Sequence, residues 1–141
     1  MKKYFTVDEA EAMLPDIENR LKILLSLRKA IQMMRTVKIT YEEASQENYM
    51  QGMRIQKEYH RILSEFYDSL IHLEEMGCLV KDMEVGLVDF YSLHKGREIF
   101  LCWRSGEKRI EYWHEVSGGY VGRKPINMIR EINRQGQGTV P

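Results

Sequence analysis

The sequence predicts an α+β fold: a long antiparallel helical hairpin followed by a small antiparallel β-meander packed on the helices. Three observations carry it. Apolar residues recur at three- and four-residue steps through the first half, as in Ile17, Leu21, Leu24, Leu27, Ile31 and Met34. From residue 79 the period falls to two, as a half-buried strand requires. Two turn signals, Lys95-Gly96 and Ser105-Gly106-Glu107-Lys108, then divide GLVDFYSLHKGREIFLCWRSGEKRIEYWHEV into three strands.

Taken in order, TVDE at 6–9 has capping-box spacing, with Thr6 and Glu9 placed to satisfy each other's backbone N–H, so a helix starts here. Pro15 removes a backbone donor and crowds the preceding turn, which predicts a stop or kink. The apolar stripe beyond it predicts a helix ending near Val37, with TVKIT at 36–40 as a connector. A second helix is expected from about Tyr41 to Met76, with Gly77 as its C-cap. Tyr59, Ile62, Phe66, Leu70 and Leu73 form its core stripe, and Tyr49, Met53, Tyr67 and Ile71 a shoulder beside it. One hairpin partner cannot cover both surfaces, so the shoulder predicts a homodimer through the helices. After the meander, SGGYVGRKPI reads as a loop, 127–133 as a short helix and 134–141 as a flexible tail. The expectation is a single domain over 1–133, with the hairpin at about 6–77 and the meander and its GR loop at about 79–126.

Composition narrows the function classes. The chain of 141 residues has a formal net charge of zero. Residues 1–80 hold eleven Lys/Arg against thirteen Asp/Glu, and 81–141 hold ten against eight. Neither part has the basic excess that nucleic-acid binding calls for. No apolar run approaches the length of a membrane span. The two cysteines, Cys78 and Cys102, form no CxxC pair, and the start has no apolar signal region, so the expected location is the cytoplasm.

Alternation fixes which residues share a sheet face. If His94 pairs with Arg97, Asp89 lies opposite Cys102. If Arg104 pairs with Arg109, Cys102 lies opposite Glu111 and Phe100 opposite Trp113. One face then carries Val88, Phe90, Ile99, Leu101, Trp103, Ile110, Tyr112, His114 and Val116 and packs on the helices. The other carries Asp89, Tyr91, Phe100, Cys102, Arg104, Glu111, Trp113 and Glu115. A one-residue bulge at the second turn reverses the third strand and brings His114 to Asp89.

FTVDEAEAMLPDI, GCLVKDMEVGLVDF, GREIFLCWRSGE, YWHE and GYVGRKPI together make the chain resemble domain-of-unknown-function family 2203, of bacteria and archaea. The resemblance implies an intracellular protein with a helical hairpin joined to a small sheet, and no particular activity. Its signature positions here are Asp89, Trp103, Gly106, Glu107, Trp113, His114, Glu115, Gly122 and Arg123, all on strands and loops.

The candidates for chemistry each have a structural competitor. Asp89, His114 and Glu115 form a metal-ligand set for zinc, manganese or iron, although adjacent strand residues point apart, so Glu115 joins only at a strand end or bulge. The competing reading is a core histidine bonded to a buried carboxylate. Asp89 lies mid-strand in GLVDF, where a carboxylate needs a partner, either a ligand or an arginine. Arg123, Glu107, Trp103, Trp113 and Tyr120 are candidates to bind and wall a small anionic ligand. Against this, Glu107 also reads as a solvated turn residue and the glycine-rich loop as a plain connection. Glu65, Asp68, His72 and Glu75 share a helical face opposite the apolar stripe and read as solvated. Cys102 sits by a carboxylate-rich face with no histidine expected beside it, so no cysteine catalysis follows. Two functions result: a metal- or anionic small-ligand-binding domain with its site on the meander, possible cofactor a divalent ion, or a non-catalytic dimeric scaffold in which these residues are structural.

Overall fold

The computed structural model describes residues 2–44 and 49–127, with Ile129. Helix α1 spans Val7–Ala44 and α2 spans Tyr49–Glu75. Five strands follow: β1 (Cys78–Asp82), β2 (Leu87–His94), β3 (Arg97–Arg104), β4 (Tyr112–Glu115) and β5 (Lys124–Pro125), with a 3₁₀ turn at Tyr120–Gly122. They form one antiparallel sheet in sequence order. The fold is α+β. Among the described residues no helix is long and apolar enough to cross a membrane. The chain divides into two compact units, one made of the segment up to Glu18 with the described residues from Leu73 onward, the other Asn19–His72.

The first unit begins with the expected capping box. The Thr6 N–H donates to Glu9 Oε1 at 3.1 Å, and the Glu9 N–H donates to Thr6 Oγ1 at 3.2 Å. The first turns of α1 bury Val7, Ala10, Leu14 and Ile17, one stripe at helical spacing, on the sheet face carrying Val88, Phe90, Ile99, Leu101 and Trp103. Just before α1, Phe5 is stitched to β2. Its N–H donates to the Tyr91 carbonyl at 2.8 Å, its own carbonyl accepts from Ser92 Oγ at 2.6 Å, and its ring meets Phe90 edge-on at 5.5 Å. Gly77, at φ 98°, closes the end of α2 as the sequence predicts.

In the second unit, Lys38 of α1 lies 5.4 Å above the Tyr59 ring of α2. Glu65, Asp68, His72 and Glu75 are exposed, as their helical phase requires, and Arg61 ties Glu58 to Glu65. The shoulder residues Tyr49, Met53, Tyr67 and Ile71 are each about half exposed or more, at 76%, 48%, 53% and 51%.

Four expectations are corrected. Of the two outcomes predicted at Pro15, the stop does not occur: α1 runs through it, with Pro15 exposed and Leu14, Ile17, Leu21 and Leu24 on either side buried at helical spacing. It also absorbs TVKIT and Tyr41, where the second helix was expected to start, so α1 extends to Ala44 and does not end near Val37. There Thr36 and Thr40 donate their hydroxyls to carbonyls four residues back, at 3.3 and 2.9 Å, which lets β-branched residues sit within a helix. The sheet has five strands, not three. In the tight β1–β2 turn, Asp82 Oδ1 accepts the Glu84 and Val85 N–H groups. Edge strand β5 lies in the stretch read as a loop, with Pro125 at an edge where its missing donor costs nothing. The predicted helix 127–133 and tail 134–141 lie outside the described residues, apart from 127 and 129.

The fourth correction concerns register. His94 pairs with Arg97 and Asp89 with Cys102 as predicted, around Lys95 and Gly96 at φ 53° and 75°. But Cys102 pairs with Tyr112 and Phe100 with His114, one residue from the favoured pairing. The expected turn closes at Arg104–Glu107, with the Glu107 N–H donating to the Arg104 carbonyl at 2.9 Å, but side-chain bonds to the backbone hold the residues around and after it off the strand ladder until Tyr112. Glu107 Oε1 accepts the Arg104 N–H at 2.6 Å, the Trp103 indole donates to the Glu107 carbonyl at 2.7 Å, and Glu11 Oε1 accepts the Ile110 N–H at 3.1 Å. His114 therefore takes the face of Asp89 and not the face of the helices, while Trp113 and Glu115 exchange places with it.

Candidate functional site

The shifted register joins three strands on one face. Asp89 (β2) stands directly across from Cys102 (β3), and His114 (β4) lies diagonally beyond. One donor atom from each of Asp89, Cys102 and His114 falls within 4.8 Å of the others, and all three residues are buried. This face was expected to carry Arg104, Glu111, Trp113 and Glu115 beside Asp89 and Cys102. Phe100, Cys102 and His114 are at most 3% exposed. Tyr91 packs on Phe100 at 4.7 Å between ring centres, Phe100 on His114 at 5.4 Å, and Lys81 Nζ sits 4.9 Å over Phe100.

Hydrogen bonding fixes the histidine. His114 Nδ1 lies 2.7 Å from the Glu115 carbonyl, which only accepts, so Nδ1 carries the proton. Nε2 faces Asp89 Oδ2, 3.1 Å away. Two acceptors face each other unless a proton or a metal cation lies between them. Backbone-anchored Nδ1–H, with Nε2 turned toward the other donors, is the orientation metal-ligating histidines take. The second Asp89 oxygen, Oδ1, is buried with no hydrogen-bond partner.

Electrostatics follow burial. Loss of solvent pushes the Asp89 carboxyl above the ordinary range, opposed by the charge and hydrogen bond of His114 and by Cys102 and Lys81. Burial, then the Asp89 charge, pushes the Cys102 thiol up to about 12, with Arg123 pulling the other way. Cys102 is thus protonated at neutral pH and inert as a nucleophile, and a metal would bind it by displacing that proton. A cavity of about 140 Å³ reaches the cluster. Its walls are Lys81, Leu87, Asp89, Phe100, His114, Val116, Gly119 and Tyr120.

The remaining sequence candidates fall elsewhere. Glu115 is on the opposite face from Asp89 and pairs with Arg97 at 2.9 Å and Lys124 at 3.6 Å. Arg123 donates to both Glu107 oxygens, at 2.9 and 3.2 Å, and stacks between Tyr112 and Tyr120 at 4.1 and 4.8 Å. Trp103 is in the core, 1% exposed. The Trp113 indole donates to the Pro125 carbonyl at 3.1 Å. Of the predicted set, the structure brings Asp89, His114 and Tyr120 together. It adds Cys102, whose pairing with Asp89 was legible, and Lys81, which no sequence signal singled out.

A family model described as "Uncharacterized conserved protein (DUF2203)" matches residues 3–126. No curated protein and no solved structure matches.

Proposed function

For this chain, which belongs to the DUF2203 family, we propose binding of a divalent transition-metal ion by Asp89, Cys102 and His114. The observation that carries the proposal is the convergence of three donors with one carboxylate oxygen left unpartnered. A proton shared between His114 and Asp89 accounts for Oδ2 and Nε2 but gives Oδ1 no partner, and the Cys102 thiol beside the carboxyl interacts with it only weakly. A metal ion uses the cluster as a whole. One nitrogen, one oxygen and one sulfur suit zinc, cobalt or iron better than the harder manganese. Three protein ligands leave a fourth position for a ligand in the cavity, the pattern of catalytic zinc sites. A thiol in the ligand set favours a reducing compartment, so we place the protein in the cytoplasm.

Purified protein, incubated with zinc and desalted, is expected to retain one equivalent by elemental analysis. Asp89→Asn keeps a side chain able to donate to Nε2, so it preserves the fold while removing the anionic ligand and the bound zinc. Glu115→Ala retains the zinc. A folded wild-type protein that holds none ends the proposal.

The helical unit supports a second element, a homodimer. Residues 19–40 contain Arg20, Lys22, Arg28, Lys29, Arg35 and Lys38 and no acid, whereas 62–75 contain Glu65, Asp68, Glu74 and Glu75 and no Lys or Arg. Exposed Ile23, Met33 and Val37 accompany the basic run, and exposed Tyr67 and Ile71 the acidic one. A second copy of this chain, two-fold related, offers each run its opposite charge and each apolar shoulder its cover. Light scattering is expected to give twice the 16.8 kDa chain mass, and Tyr67→Glu with Ile71→Glu to halve it. A monomeric wild type at micromolar concentration removes this element without touching the metal site.

A further inference from the structure

Resting on the metal reading above, we infer that the ion's outside ligand is a small monocarboxylate, received in the 140 Å³ cavity and held by Lys81. Size comes first. The space is small, about 140 Å³, which suits a ligand of few non-hydrogen atoms such as acetate or its near relatives. Lining comes second. Leu87, Phe100 and Val116 supply apolar wall, whereas Asp89, His114 and Lys81 supply the polar part. A ligand with a charged head and a short apolar tail matches that division, and a uniformly polar tetrahedral anion does not.

Charge comes third. A divalent ion is neutralised by the Asp89 carboxylate and the Cys102 thiolate it creates, and His114 adds none. Glu107 and Arg123 cancel each other nearby. Lys81, itself solvent-exposed, then leaves a positive charge at the cavity's rim, which attracts an anion, while the buried inner part has, among the described residues, no second cation for a dianion. Among the described residues, no carboxylate lies within ion-pair distance of Lys81, whose ammonium sits over Phe100. Its position depends on a local irregularity. The β1–β2 register slips between Val80 and Asp82, taking Lys81 out of the regular pairing with β2.

Cobalt(II) is the probe of choice, because its visible absorption reports the coordination shell directly. Acetate titrated into the cobalt-loaded protein is expected to shift that spectrum saturably. Lys81→Met is expected to keep the acetate-free spectrum and weaken the acetate response at least tenfold, while phosphate at equal ionic strength leaves the wild-type spectrum unchanged. A spectrum blind to acetate, an acetate response undiminished in Lys81→Met, or an equal response to phosphate overturns the carboxylate assignment and leaves the metal site standing. No cobalt uptake by folded protein overturns both.

Discussion

His114→Ala in metal-free protein is expected to lose about 1–3 kcal/mol of stability at neutral pH, the cost of leaving a buried carboxyl without its hydrogen-bond partner. Asp89 is 2% exposed and already lacks a partner for Oδ1, so the variant leaves both oxygens dry. The loss should depend on pH in a defined sense. Burial holds the Asp89 carboxyl above its ordinary range, and His114 opposes that rise. Removing His114 lets the carboxyl rise further. A carboxyl raised on folding contributes its full stability below its unfolded value of about 3.9 and loses it as pH climbs through the folded value. The deficit of His114→Ala relative to wild type is therefore small near pH 4 and widens toward neutrality. Urea denaturation in chelator across that range measures it, and a deficit that shrinks as pH rises contradicts the account of Asp89.

Gly77→Ala is expected to cost about 2–5 kcal/mol, combining roughly 1–2 for a side chain at left-handed φ with about 1–3 for displacing packed atoms. A Cβ there would lie 2.9 Å from two carbons of the Phe5 ring. That ring cannot swing aside, since Phe5 is bonded to β2 through both its N–H and its carbonyl and packed against Phe90. Gly106→Ala is the control. Its φ is 100°, yet nothing lies within 4 Å of the added carbon, so it bears the conformational cost alone. Chemical denaturation of the pair separates the two contributions, and equal losses would show that the Phe5 contact carries no weight.

Local chemistry was legible wherever one or two residues determine it. Thr6 with Glu9, Gly77, and Lys95 with Gly96 specify a start, a stop and a turn by their own bonds and torsions. What escaped depends on residues distant in sequence. Burial of Leu14, Ile17, Leu21 and Leu24 overrides Pro15, and the connector TVKIT yields to a helix already under way. β1 is five residues long, and its half-buried pattern is too brief to show a period. The site shows the same division. Asp89 and His114 announced themselves by type and position, and the pairing of Asp89 with Cys102 followed from the first hairpin. The second hairpin depends on Glu11, supplied by α1, reaching Ile110 across 99 positions. No turn rule read from RSGEK contains that residue.

The 105–111 connection consequently acts as a parity device. Its residue count, odd or even, decides whether the side chains of β4 are dealt to one face or the other. Substitutions along it leave the deal intact, whereas one inserted or deleted residue sends His114 to the far side and delivers Trp113 or Glu115 to Asp89 in its place. Length, more than composition, is the quantity this loop transmits to the site.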